Sequence, residues 1–199
     1  MPTHDTRPQT RLLLGPDDHG RLVSDDEFAA ADFVEPWKYE RVKGRLAVMA
    51  PDGEAHDLAS EPWRDRLGAY KLEHPDVVEL VVSEAWVRDV AGTDRIGDIG
   101  VFLVAKLPVP ARPDRVPELM FEVVSPDQES HDRDYVHKRA DYHRLGVQEY
   151  VIIDRFERKV TVLTHEPGGY HERVLTLNDT YTSPQLPGLA IPMAEVMGP

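Results

Sequence analysis

The chain has 199 residues, 41% of them hydrophobic and 30% charged, a formal net charge of −13 and no cysteine. Its length suffices for one domain with a real core, and the missing cysteines exclude disulfide frameworks, thiolate zinc sites and cysteine nucleophiles. The acidic balance, with no basic cluster against it, excludes a grip on nucleic acid made by lysine and arginine alone.

No apolar run approaches the roughly 20 residues of a membrane span and no signal pattern opens the chain, so no membrane partner and a cytoplasmic location are expected, with an idle sequon at Asn178. Residues 1–20 are polar and rich in Pro, Asp and Thr, and predict a flexible arm ahead of a single domain over residues 21–199. Between Leu22 and Phe33 a short amphipathic stretch starts at Ser24-Asp25-Asp26-Glu27, a good helix opening. Residues 39–42 and 46–49, separated by Lys43-Gly44-Arg45, predict a hairpin. After Pro51-Asp52-Gly53 the pattern over 54–72 is helical, with Leu58, Trp63, Leu67 and Tyr70 roughly on one face. Residues 77–82, residues 85–90 and the run opened by Asp98 predict three successive strands of a curved antiparallel sheet.

A Pro-rich segment over 107–113 leads to the apolar run 119–124. A helix is predicted over 132–145, stopped by Gly146, and residues 148–153 read as the next strand. Strand, helix and strand then form a βαβ crossover. Strands over 159–163 and 170–177 follow, and the chain closes in a Pro-rich tail without internal repeats.

Two carboxylates break these patterns. In one run Asp98, Gly100, Phe102 and Val104 share a face opposite Ile99, Val101 and Leu103; in the other Met120, Glu122 and Val124 share a face opposite Leu119, Phe121 and Val123. Both faces are otherwise apolar or small, and a buried carboxylate costs several kilocalories unless it is paired or metal-bound. On the following helix Tyr135, Lys138, Tyr142 and Leu145 fall at i, i+3, i+7 and i+10, which sets Lys138 in the middle of the inward stripe. Each feature alone has a bland reading: snorkelling for Lys138, and a structural pair with an arginine or an amide for each acid. Together they fit a hydrolytic metal site, in which two carboxylates hold Mg²⁺ or a similar hard cation and a lysine positions water or stabilises the transition state.

The residues 39–163 resemble the Uma-two family of restriction endonucleases, within the PD-(D/E)xK nuclease superfamily. The most specific part is Glu122-Val123-Val124-Ser125-Pro126, followed by Asp134, Lys138, Tyr142, Gly146-Val147, Glu149-Tyr150 and Asp154. Tyr39-Glu40 with Gly44, His56 and Asp98 match more weakly. The resemblance implies a restriction-endonuclease-like α/β (α+β) fold, a mixed sheet flanked by helices, with a site made by Asp98, Glu122 and a lysine. The superfamily's lysine position, two residues after the second acid, is Val124 here, and the resemblance implies that the lysine has moved to Lys138. The proline that usually precedes the first acid is replaced by Gly97, a turn-compatible residue. Glu40 and His56 are further candidates, as an extra acid and as a group that orients water or phosphate. Glu149 and Asp154 read as structural, a salt bridge and a strand-end turn.

The expected function is therefore hydrolysis of phosphodiester bonds in DNA with Mg²⁺ or Mn²⁺, the bound ion supplying the positive charge that the chain lacks. Asp98 and Glu122 would bind the metal and Lys138 would assist the water, and a homodimer would cut both strands. The alternative is a non-catalytic binding or regulatory module on the same fold. Geometry separates them: acids converging on one point with Lys138 facing it favour the enzyme, whereas an acid locked to an arginine favours the module.

Overall fold

Ser24 opens the first helix as its sequence requires. Its Oγ accepts a hydrogen bond from Glu27 N at 3.2 Å while Glu27 Oε2 accepts one from Ser24 N at 2.9 Å, a reciprocal capping box. The structure is a computed structural model and describes residues 11–89, 92–112, 114–126 and 131–197. Two compact units divide it, residues 1–51 with 90–93 and residues 52–89 with 94–199.

In the first unit β1 (Leu13–Leu14) pairs in parallel with β2 (Asp32–Phe33), and α1 (Asp25–Ala30) lies between them in sequence. Of the expected arm, residues 1–10 lie outside the described residues, and residues 11–20 hold β1 and a 3₁₀ turn, Pro16–Asp18. β3 (Lys38–Val42) and β4 (Arg45–Met49) form the predicted hairpin. Its two loop residues, Lys43 and Gly44, have φ of 51° and 78°, the left-handed pair that a two-residue hairpin needs. Arg41 is buried on β3, where it pairs with Asp25 and lies over the Phe28 ring.

The second unit starts with α2 (Glu54–Glu73). Its buried face is His56, Ser60, Trp63, Leu67 and Tyr70. Leu58, predicted on that face, is 60% exposed. The inward stripe is set by Trp63, Leu67 and Tyr70, and at 100° per residue Ser60 and His56, rather than Leu58, continue it.

The runs predicted as two strands before Asp98 are one strand, β5 (Val78–Asp89). The break between them is Glu84, a non-glycine residue with φ of 51° inside the strand. It is a kink and not a turn, and beyond it the buried side chains switch to odd positions, Ala85 and Val87. β6 (Thr93–Leu103), β7 (Leu119–Val123), β8 (Glu149–Asp154), β9 (Lys159–Glu166) and β10 (Gly169–Leu175) follow. The order across the sheet is β10-β9-β8-β7-β6, with β5 paired to β6. Only β7 and β8 are parallel among the registered pairs of this unit, joined through α3 (Arg139–Leu145) as the βαβ pattern predicted. Gly146 ends α3 in the left-handed conformation, φ 86°.

The sheet has two covered faces. Ile99, Val101, Phe121, Val123 and Val151 pack with Trp63, Leu67 and Tyr70, whereas Ala85, Met120, Tyr150 and Ile152 pack with Tyr142. In the Pro-rich tail β11 (Thr180–Ser183), β12 (Leu186–Pro192) and α4 (Met193–Val196) bring Tyr181, Ile191 and Met193 into the first of these cores. Asp154 caps the strand-end turn, accepting from the N–H groups of Phe156 and Glu157 at 3.0 and 2.9 Å. Glu149, expected in a salt bridge, accepts instead from the hydroxyls of Tyr181 and Ser183. Burial pushes its carboxyl up, and a neutral partner is the cheaper one there.

Candidate active site

β6 and β7 pair over three positions, Ile99 with Phe121, Gly100 with Met120 and Val101 with Leu119. One step past Ile99 and Phe121, the two strands present Asp98 and Glu122. There the Asp98 carboxylate stands in for a backbone acceptor: its Oδ2 takes the N–H of Val123 at 2.8 Å. Gly97, just before it, is a strand residue and not a turn. A Cβ on Gly97 would lie 2.0 Å from Met120 Sδ, so the strands can pack here only because position 97 carries no side chain. A proline at 97, as the superfamily pattern has, would meet the same sulfur.

Asp98 faces a cavity of about 160 Å³ that is also lined by Asp52, His56, Ser60 and Arg64. His56, in the first turn of α2 and 7% exposed, has Nε2 3.0 Å from Asp98 Oδ2 and Nδ1 3.5 Å from Asp52 Oδ2. Burial alone would raise the Asp98 carboxyl. The hydrogen bond from His56, attraction to His56 and Lys138, and the Val123 N–H together bring it below the ordinary value. Asp98 is therefore an ionised acceptor, and His56 donates to it from Nε2.

Glu122 lives in the opposite setting. Its Oε1 accepts from Lys138 Nζ and from the Tyr142 hydroxyl, each at 2.8 Å, and all three side chains are buried. Lys138 also donates to Ile96 O at 2.8 Å and stands 3.9 Å from Asp134, itself buried. Burial is the main influence on Glu122 and pushes it up to about 8, against the pull of Lys138 and with the repulsion of Asp98 and Asp134. Lys138 owes its inward position to a π-helical segment, Arg133–Lys138, that runs into α3. The wider turn puts Asp134, Lys138 and Tyr142 on one buried line at i, i+4 and i+8.

Of the residues expected from sequence, Asp98, Glu122 and Lys138 lie close enough to act on one another's charge. Among the described residues neither acid is paired with an arginine. His56 joins this group through Asp98. Glu40 belongs to the first unit and is fully buried on β3 opposite Ala47, not a surface residue of the hairpin. Three members carried no assigned role from sequence: Asp52, Asp134 and the Tyr142 hydroxyl. The i, i+4 spacing of Asp52 and His56 and of Asp134 and Lys138 was the available signal.

With that geometry, comparison with known proteins becomes decisive. A family model, Uma2, described as "Putative restriction endonuclease", matches residues 25–194. The chain belongs to the Uma2 family. Among solved structures, one from Anabaena variabilis ATCC 29413, described as "a putative nuclease belonging to DUF820", aligns with a TM-score of 0.67 at 16% identity. The alignment covers 86% of this chain and 96% of that one, and at such identity it shows a shared fold. No curated protein matches the chain.

The donor set beside Asp98 has the chemistry of a divalent-cation site. Asp52, His56 and Asp98 each offer one ligand atom, all within 4.8 Å of one another. Donors around a hard cation with bonds of about 2.1 Å lie about 3.0–4.2 Å apart, so these residues close on an ion with small side-chain movements. Two carboxylates suit Mg²⁺ and Mn²⁺, and the His56 imidazole adds a nitrogen donor.

Proposed function

We propose that this domain is a metal-dependent endodeoxyribonuclease that hydrolyses phosphodiester bonds in DNA with Mg²⁺ or Mn²⁺. The observation that carries the reading is the buried Lys138–Glu122 contact at 2.8 Å beside Asp98, built from three distant parts of the sequence where paired strands part. A fold that only needed packing would fill these positions with apolar side chains.

Asp98 is the central ligand in this reading, with Glu122 on one side and Asp52 and His56 on the other. When bound, the ion lowers the pKa of water and offsets charge on a phosphate oxygen. The chain's own residues do the rest. His56 holds Asp98 ionised and oriented. Lys138 holds the Glu122 carboxylate in place, offsets its charge, and aligns the attacking water through that carboxylate. Tyr142 fixes the same oxygen from the other side. The acidic chain gains its affinity for a polyanion from the ion. Residues 21–199 act as one catalytic domain in this reading, and a homodimer supplies one site per DNA strand.

Calorimetric titration of Mg²⁺ and Mn²⁺ into wild type and Glu122→Gln, with plasmid cleavage on the same samples, tests it. Binding and cleavage are expected in the wild type, and cleavage is expected to vanish in the variant. A wild type that binds neither ion turns the reading into that of a non-catalytic module on a nuclease fold.

A further inference from the structure

The cavity beside Asp98 has a problem that metal ligands alone do not solve. Four carboxylates, Asp52, Asp57, Glu84 and Asp98, line it, and a phosphate entering meets their repulsion. The permanent cation in that wall is Arg64. It stands two helical turns along α2 from His56, on the stripe of His56, Ser60 and Arg64, while Trp63 and Leu67 turn into the core. Other arginines of the chain are engaged with acids, as Arg95 is with Asp141, Arg115 with Glu79 and Arg139 with Glu172. Arg64 takes part in no hydrogen bond or ion pair among the described residues, despite the acids of its own cavity. The hydroxyl of Ser83, on the β5 side of that wall, is likewise unbonded among the described residues. Ser83 is exposed and stands next to the left-handed Glu84.

We propose that Arg64 and Ser83 form a phosphate subsite for the nucleic-acid backbone, set beside Asp98 in the same cavity; the inference rests on the nuclease reading. A guanidinium not committed to a carboxylate offers its planar fork to two phosphate oxygens without first breaking an ion pair. The Ser83 hydroxyl supplies a further donor. The cavity, about 160 Å³, holds roughly five water volumes of about 30 Å³ and so accommodates one phosphate group. Arg64 thus supplies fixed positive charge where the chain, at −13, is otherwise repellent to DNA.

Fluorescence anisotropy of a short labelled DNA duplex in Ca²⁺, over a range of salt, tests the subsite in wild type, Arg64→Ala and Arg64→Lys. Arg64→Ala is expected to weaken binding about tenfold and to lower the slope of log affinity against log salt by about 1. Arg64→Lys should keep the wild-type slope and recover only part of the affinity, since it has charge without the fork. Calorimetric affinity for the divalent ion should not fall in either variant, because Arg64 is not a ligand and its charge only opposes the ion. Arg64 is partly exposed on a helix, so the alanine variant keeps its fold, checked by thermal melting. Equal affinity and slope in wild type and Arg64→Ala overturns the subsite and leaves the nuclease reading standing. Absence of duplex binding by the wild type overturns both.

Discussion

Asp98 and Glu122 stand on neighbouring strands one step past the same ladder pair, yet their surroundings shift their carboxyls in opposite directions. Asp98 opens on a cavity and keeps its charge through His56 and a backbone N–H. Glu122 is sealed between Lys138 and Tyr142 and is pushed up to about 8. Two carboxylates of similar chemistry thus become different tools: one is a ready anion, the other an acid held near the point of losing its proton. Burial raises both carboxyls, and the split follows from the partners: His56, Lys138 and the Val123 N–H outweigh burial at Asp98, whereas Lys138 does not outweigh it at Glu122.

The harshest way to break the comparison is to remove its members. Asp98→Asn, Glu122→Gln and Lys138→Ala should each lower metal-dependent plasmid cleavage by about 10²–10³-fold or more while leaving the far-ultraviolet dichroism unchanged. Cleavage that survives in all three variants sinks the proposed site on both flanks at once.

A gentler break acts on the packing that spaces the two strands. Gly97→Ala puts a Cβ against Met120, which is fully buried and has little room to swing aside. A loss of about 1–2 kcal/mol in denaturant unfolding is expected. In the Met120→Ala background the same substitution should cost less, and a double-mutant cycle reads the coupling.

How much of this was legible beforehand depends on what each signal measures. Period-2 alternation located Asp98 and Glu122 because it reports facing, and an acid on an apolar face shows in the sequence alone. The Lys138 stripe was legible for the same reason, although the period was read as α-helical and the segment is π-helical, so Asp134 was not placed on the line. Tyr142 was seen as an apolar ring, and a hydroxyl's partner depends on which strand lies opposite. Asp52 was hidden in the Pro51-Asp52-Gly53 break, where an acid before a glycine reads as turn chemistry. The kink at Glu84 was read as a strand boundary, since Ser83-Glu84 interrupts the apolar pattern whether the chain turns or only twists. No element was predicted in the Pro-rich tail, yet β12 ends on Pro192 and the apolar residues between carry it into the core.

The pH dependence of the metal-free protein sharpens the contrast between the acids. A carboxyl raised from 4.5 to about 8 holds its proton in the folded chain and loses it in the unfolded one across that window. Folding is therefore most favoured at and below the unfolded value, and stability falls as pH rises from about 4.5 through 8. Asp98, held low, titrates below this window, and its stabilising contribution is lost only as pH falls further. Glu122→Gln imitates the protonated acid. It should match the wild type near the unfolded value and exceed it increasingly toward pH 8.5 in urea unfolding, by at most about 1.4 kcal/mol per pH unit. A constant difference across that range would mean that Glu122 keeps its charge beside Lys138.

The smallest expected effect probes the open flank alone. His56 presents Nε2 to Asp98 at 3.0 Å and Nδ1 to Asp52 at 3.5 Å, so an ion shared with Asp98 would take the place of the Nε2–H contact. Imidazole adds affinity for transition ions over Mg²⁺, whereas carboxylates alone discriminate little. Calorimetry on the wild type should thus give a preference for Mn²⁺ over Mg²⁺, and His56→Ala should reduce that ratio by about threefold to tenfold, roughly 1 kcal/mol. The variant also removes the donor that holds Asp98 ionised, so both affinities should fall together with the ratio. A fall in both with the ratio intact would make His56 an orienting partner of Asp98 and leave the ion to Asp98, Asp52 and Glu122, joining the two flanks that the protonation states hold apart.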